Sequence, residues 1–289
     1  MSQPDSLKSR IIDVEWSPAP SPGRSNGHGN GHGNGHSNGQ GRGYDGRTTM
    51  PIEVALAAPP PREVITTLAL STPTIIMEEV QPESLVDSRL FVLREPSSAQ
   101  ARSFRLLQHR VFADHDPRVI TVTSALPEEG KTTCAANLAL ALSEATFASV
   151  LLIDANLKRP GLADLFRFDP ADNLMTKLLR SEDPSPPYAV ASVSCTRLQL
   201  AALRPDVAAG KRLDRSLLST LLRALREVYD YIIIDTVSVL ENADANVASQ
   251  CADAVILTAR AGESRKPALR RAIEQLRPAN VVGAVLMDT

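Results

Sequence analysis

The chain has 289 residues, 22% of them charged, with a formal net charge of −2, which excludes the global basic excess that holds nucleic acid. Its three cysteines, Cys134, Cys195 and Cys251, are widely spaced and odd in number, which excludes a disulfide framework or a metal-spaced cluster. No apolar run reaches the roughly 18 residues of a membrane span, and residues 1–10 lack the apolar stretch of a secretory signal, so a cytoplasmic protein without a direct membrane span is expected.

Residues 1–88 read as a disordered, low-complexity N-terminal arm. Ten of the 15 glycines lie between Gly23 and Gly46, and eleven of the 21 prolines precede residue 100. An Asn-Gly-His-Gly repeat places His28, His32 and His36 four apart, but such glycine-rich sequence cannot hold the fixed geometry of a selective metal site, so a flexible tether is expected. Pro59, Pro60 and Pro61 mark a stiff, extended stretch. Residues 63–70 and 73–79 carry short apolar runs.

Residues 89–117 are expected to form a docking strand (89–94) and a helix (99–112) that starts after Pro96-Ser97-Ser98. From residue 118 to 289, roughly enough chain for one sizeable core, apolar runs alternate with helical patterns. Strands are predicted at 119–124, 149–154, 198–203, 231–235, 253–259 and 281–287. Helices are predicted at 131–144, 213–228 and 268–276. Continuous apolar strands separated by helices imply an α/β, doubly wound, mostly parallel sheet covered on both faces. Ligands of such sheets bind at the carboxyl ends of the strands.

The residues with chemistry fall there. Ala125-Leu-Pro-Glu-Glu-Gly-Lys-Thr132 follows the first of the apolar strands and opens a helix, with alanine in the first glycine position of a phosphate-binding loop. Backbone N–H groups of Pro127-Glu128-Glu129-Gly130-Lys131-Thr132-Thr133, proline excepted, and the helix dipole suit phosphate; Lys131 reaches between phosphates and the Thr132 hydroxyl suits Mg²⁺. Asp154 and Asp235 each end an apolar strand and supply hard oxygen ligands. Together these residues indicate Mg²⁺–nucleotide binding. Cys134, one turn into the helix, reads as a small packed residue rather than a reactive thiol, and Tyr229 and Tyr231 read as core. Arg265, Lys266, Arg270 and Arg271 read as a solvated helix face. Asn242, Asp244 and Asn246 read as helix-capping residues.

Three segments together resemble the bacterial tyrosine kinases (the BY-kinase, CpsD/CapB-like P-loop ATPases) of polysaccharide biosynthesis and export, relatives of the MinD/ParA group. They are Thr121-Val-Thr-Ser-Ala-Leu-Pro-Glu-Glu-Gly-Lys-Thr-Thr133 with Asn137-Leu138-Ala139, Val150-Leu-Leu-Ile-Asp-Ala-Asn-Leu-Lys-Arg-Pro160, and Tyr229-Asp-Tyr-Ile-Ile-Ile-Asp-Thr236. The resemblance runs from about residue 93 to the end. It implies a P-loop ATPase of the MinD/ParA-related type that uses ATP and Mg²⁺. It implies catalytic roles for Asp154, Lys131 and Asp235, with Asp154 as general base or metal-shell ligand. It implies metal ligation by Thr132, Asp154, Asn156 and Asp235, and nucleotide binding that includes Lys158 in place of the family's arginine. The implied partner is a membrane polysaccharide co-polymerase or chain-length regulator that supplies an activating cytoplasmic tail and holds the protein at the inner face of the membrane. A homo-oligomer is implied as well.

The sequence departs from the family pattern at named positions. Glu128 replaces a glycine of the usual Pro-Gly-Glu-Gly loop, where a side chain is expected to avoid positive φ and to point to solvent. Asn156 replaces an acid and cannot take a proton. Thr236-Val237-Ser238 replaces the usual sequence after Asp235, and Arg102, Arg105 and Gln108 stand where the family has a Glu-x-x-Arg-x-x-Arg subunit contact. Leu126 stands where MinD/ParA proteins carry a signature lysine. The chain as given ends without a tyrosine cluster, so phosphorylation of another protein is expected rather than of its own tail, with Tyr44 the one mobile acceptor. The competing expectations are a catalytically degenerate, ATP-binding regulator of a co-polymerase and, more distantly, a MinD/ParA-like positioning ATPase.

Overall fold

The computed structural model describes residues 75–80, 87–113, 116–146, 148–180 and 186–288. The histidine repeat, Tyr44, the proline run and the apolar stretch at 63–70 lie outside them. In chain order the elements are β1 (Ile75–Val80), α1 (Phe91–Arg94), α2 (Ala99–Ala113), β2 (Val119–Ser124), α3 (Lys131–Thr146) and β3 (Val150–Ala155). There follow α4 (Leu162–Phe166), α5 (Leu174–Leu179), β4 (Tyr188–Val193), β5 (Leu198–Ala201), α6 (Pro205–Ala208) and α7 (Arg215–Leu225). The chain continues through β6 (Tyr231–Thr236), α8 (Asp244–Cys251), β7 (Ala254–Arg260), α9 (Lys266–Leu276) and β8 (Val281–Met287).

The strands form one eight-stranded sheet in the order β1-β4-β5-β3-β6-β2-β7-β8. From β5 to β8 every neighbouring pair is parallel. β4 pairs antiparallel with β5, and β1 pairs parallel with β4. The sheet is therefore mostly parallel with a reversed edge, as the apolar runs predicted.

The two-residue period of a strand explains how both faces are buried. Ile120, Val122, Val150, Leu152 and Ile233 pack with Phe104, Leu107, Leu138 and Leu142 of α2 and α3. Their neighbours Val119, Leu151, Ile153, Ile232 and Ile234 pack on the other face against Leu218, Leu221, Leu222 and Leu225 of α7. Val255 and Leu257 of β7 meet Ala272 and Leu276 of α9 in a third cluster. No helix among the described residues is long and apolar enough to cross a membrane.

Two boundaries differ from expectation. The arm expected to extend to residue 88 contains strand β1, which pairs in register from Ile75↔Tyr188 to Val80↔Val193. The β-branched Ile75-Ile76 pair and Val80 suit a strand, and β4 offers them an unpaired edge. The docking strand expected at 89–94 is instead the helical turn α1. Leu90 and Val92 are both buried, and Val92 N–H donates to the side-chain oxygen of Asn137 in α3 (3.1 Å) rather than to a neighbouring strand. Just before α2, Ser98 caps the helix through Ala101 N–H (3.1 Å). Arg105 pairs with Glu144 (2.9 Å) and donates to the Pro96 carbonyl (2.6 Å), and Arg102 donates to the Ser97 carbonyl (2.6 Å).

Candidate functional site

The carboxyl ends of β2, β3 and β6 adjoin in the middle of the sheet, and the loops that leave them build the site. The loop after β2 turns at two positive-φ residues, Glu128 (φ 62) and Gly130 (φ 81), before Lys131 opens α3. A Cβ on Gly130 would lie 2.9 Å from Met287 Cγ, so β8 closes the underside of this loop and leaves room for glycine only. Glu129 is buried; its Oε2 accepts from Leu126 N–H (2.8 Å) and its Oε1 meets the Ser264 hydroxyl, which ties the loop to the turn after β7. The Thr133 carbonyl accepts from Asn137 Nδ2 (2.8 Å).

Asp154 and Asp235 stand directly opposite one another in the β3–β6 register, both with no exposed surface. Asp154 Oδ1 accepts from Asn156 N–H (3.1 Å), and its Oδ2 accepts from Gly161 N–H (2.9 Å) and Leu162 N–H (3.1 Å). Burial first, and then the neighbouring Asp235 charge, hold the Asp154 carboxyl well above the usual carboxylate range; the three N–H bonds oppose this. Asp235 Oδ2 accepts the Thr132 hydroxyl at 2.6 Å, while its Oδ1 is buried with no hydrogen-bond partner. Burial raises Asp235 as well, opposed by the Thr132 bond and the Lys131 charge. Lys131 is buried; desolvation pulls its ammonium down, and the carboxylates of Asp235, Glu129 and Glu241 pull it back up.

These five groups, Lys131, Thr132, Asp154, Asp235 and the loop around Gly130, are thus gathered at one end of the sheet. The remaining predicted residues lie around it. Asn156 Oδ1 accepts Arg159 N–H (3.2 Å), bracing the loop that returns to Gly161; a carbonyl oxygen keeps a second lone pair for another partner. Lys158 Nζ pairs with Glu241 Oε1 (3.1 Å) and Glu128 Oε1 pairs with Arg159 (3.2 Å). Glu128 points to solvent, but contrary to expectation it adopts positive φ: the loop geometry that glycine usually supplies is imposed on a glutamate.

Five participants escaped the sequence reading. Glu241 and Arg159 carry no motif signal beyond charge. Ser264 and Met287 reach the loop only through tertiary packing. Gly161, whose Cβ would lie 3.4 Å from Thr132 Cγ2, does have a signal in the Pro160-Gly161 turn. Cys134 is fully buried, and desolvation pushes its thiol up to about 12, consistent with a packing residue. The capping expected of Asn242, Asp244 and Asn246 is not what the structure shows: the residue before α8 is Ala243, with no side-chain cap bond, while Asn242 Oδ1 accepts Asp244 N–H (3.1 Å) and Asp244 Oδ1 accepts Leu213 N–H (3.2 Å).

An orphan carboxylate oxygen beside a serviced hydroxyl and a buried ammonium is the environment a hydrated divalent cation and phosphate complete. The residues present therefore fit a magnesium–nucleotide complex.

No protein-family model matches the chain. It is similar to the tyrosine-protein kinase YwqD of Bacillus subtilis (strain 168), with 28% identity over 209 residues, 70% of this chain and 87% of that protein. It is similar to the tyrosine-protein kinase CpsD of Streptococcus pneumoniae serotype 4 (strain ATCC BAA-334 / TIGR4), with 30% identity over 163 residues, 55% of this chain and 70% of CpsD. It is similar too to the succinoglycan biosynthesis transport protein ExoP of Rhizobium meliloti (strain 1021), with 29% identity over 210 residues. That match takes in 68% of this chain but 26% of ExoP, so the chain spans about a quarter of that relative. Among solved structures, the chimerical protein CapA2B2 superposes with a TM-score of 0.60 at 24% identity, over 75% of this chain and 94% of that one. The kinase domain of VpsO superposes with a TM-score of 0.54 at 26% identity, over 66% and 96%.

Proposed function

The chain belongs to the bacterial tyrosine-kinase family of capsule and exopolysaccharide biosynthesis, and we propose that it transfers the γ-phosphate of ATP to tyrosine hydroxyls of a partner protein. The observation that carries this reading is Asp235, with one oxygen on the Thr132 hydroxyl and the other buried and unpartnered. Thr132 and Asp235 would hold Mg²⁺, with Asp154 and the Asn156 carbonyl completing its surroundings. When bound, the cation neutralises and aligns the phosphate oxygens.

This chain's own residues do the rest. The backbone N–H groups from Glu128 to Thr133 and the amino end of α3 bind phosphate, and Lys131 places a buried positive charge where negative charge shifts during transfer. Of the two roles the resemblance implies for Asp154, complete burial and three N–H bonds favour ordering the cation's surroundings over direct contact with a phenol. Phosphoryl transfer through a loose transition state asks little of a base, so positioning and charge carry the rate.

The proposed partner is a membrane polysaccharide co-polymerase or chain-length regulator whose cytoplasmic tail activates the enzyme at the inner face of the membrane. The match to ExoP, a transport protein of succinoglycan biosynthesis, supports that association. Asn156, which carries no charge, favours a second reading as an ATP-binding regulator without transfer. Incubation with labelled ATP, with and without the partner's tail, separates the two: label on tyrosine supports the kinase, and nucleotide binding without label leaves the regulator.

A further inference from the structure

Two ion pairs span the mouth of the site, and both involve consecutive cations of the loop after β3. Arg159 reaches to Glu128 on the phosphate-binding loop (3.2 Å), and Lys158 reaches to Glu241 on the loop after β6 (3.1 Å). Glu241 is further fixed by the Ser238 hydroxyl, which donates to its Oε2 (2.9 Å). Glu241 and Arg159 both act on the Lys131 ammonium, Glu241 raising its pKa and Arg159 lowering it, so the two latches lie within electrostatic range of the lysine at the centre of the site. Each pair therefore sets a carboxylate beside a cation at the position where a polyphosphate would bring its own negative oxygens.

We propose that Glu128 and Glu241 are carboxylate stand-ins for nucleotide phosphate, which hold Arg159 and Lys158 until a triphosphate displaces them. The inference rests on the nucleotide-binding reading above and concerns how that same site is regulated. The pairs suit an exchange. The side chains of Glu128 and Arg159 are 76% and 74% exposed, and ion pairs this open to water are weak and cheaply broken. Phosphate is the stronger partner: guanidinium binds it bidentately through charge-assisted bonds. Glu128 also holds a positive φ that an unbranched but non-glycine side chain adopts at a disadvantage, so its presence in the loop calls for a role that glycine could not fill. In that role it lowers affinity for nucleotide in general and reserves tight binding for ligands with enough phosphate charge to win Arg159.

The test is a double-mutant cycle on the full chain, read as the Kd for Mg·ATP and Mg·ADP by calorimetry at two salt concentrations. Glu128→Gln keeps Cβ and the backbone strain while removing the charge. It is expected to tighten Mg·ATP binding about fivefold, and to tighten it less than twofold once Arg159 is alanine. Glu241→Gln is expected to behave alike, with its gain lost in a Lys158→Ala background. An unchanged Kd in both glutamine variants overturns the proposal. A gain of the same size with and without Arg159 also overturns it, because Glu128 then acts by plain repulsion rather than by holding the arginine. Failure of the wild-type chain to bind Mg·ATP at all is a different outcome: it removes the nucleotide-site reading, and the exchange with it.

Discussion

Asp154 and Asp235 face each other across adjacent parallel strands, fully buried, with both carboxyls raised by desolvation and Asp154 raised further by the Asp235 charge. In the folded state each holds its proton to higher pH than in the unfolded chain. The folded protein therefore binds more protons than the unfolded one above about pH 4, and stability falls as pH rises through that window. Asp235→Asn removes the penalty while keeping an oxygen for the Thr132 hydroxyl. Without nucleotide, the variant is expected to be more stable than the parent at pH 7.5, on the order of 2 kcal/mol, and to lose Asp235's share of the pH dependence while keeping that of Asp154, whose burial is unchanged. It is also expected to gain nothing from Mg²⁺ with nucleotide. A lower melting temperature at pH 7.5 contradicts this electrostatic account, and thermal melts with and without Mg·ATP supply the readout.

Gly130 is fixed by conformation and by space at once, with φ at 81° and Met287 Cγ 2.9 Å from where a Cβ would sit. Gly130→Ala is expected to cost about 2 kcal/mol, part strain and part overlap, and to abolish nucleotide binding. Pairing it with Met287→Ala recovers the overlap alone, so a chemical-denaturation cycle should show a favourable coupling of about 1 kcal/mol. Strict additivity would mean that β8 does not press on the loop.

Asn137 fastens α1 to the site. Its Oδ1 accepts Val92 N–H (3.1 Å), and its Nδ2 donates to the carbonyls of Arg89 (2.7 Å) and Thr133 (2.8 Å). Asn137→Ala removes the side-chain partners of the buried Val92 N–H and of the Arg89 carbonyl and is expected to destabilise by about 2 kcal/mol. Amide exchange at residues 89–94 should quicken selectively. Unchanged protection there would show that packing of Leu90 and Val92 alone holds the segment.

The central strands were legible because Val119–Ser124, Val150–Ala155 and Tyr231–Thr236 are largely apolar runs with a polar or acidic residue at or next to the carboxyl end. Lys131, Thr132, Asp154 and Asp235 were placed by that same geometry. Residues 89–94 misled because a short apolar run suits a strand and a buried helical turn equally, and the deciding contact, Asn137, lies 45 residues away. β1 was hidden inside proline-rich sequence and takes shape against β4, itself unpredicted because its pairing partner β5 runs antiparallel beside it. Of the site, the residues that follow strands were readable; Glu241, Ser264 and Met287 were not, since nothing local marks a side chain that arrives from another loop.

The cysteines should separate by environment. Cys195 is exposed, Cys251 is half-buried with burial raising its thiol, and Cys134 is fully buried with its thiol pushed up to about 12. Thiol titration of the native protein is expected to modify Cys195 first, Cys251 slowly and Cys134 only on unfolding. Fast labelling of Cys134 would mean that the amino end of α3 opens readily.

The most direct measurement is transfer of label from γ-labelled ATP to the cytoplasmic tail of a polysaccharide co-polymerase by the purified chain, with Lys131→Ala and Asp235→Asn beside it. Phosphotyrosine is expected with the parent and Mg²⁺, reduced at least a hundredfold in both variants. No phosphotyrosine from a parent that demonstrably binds Mg·ATP, with or without the tail, would contradict the assignment of kinase activity.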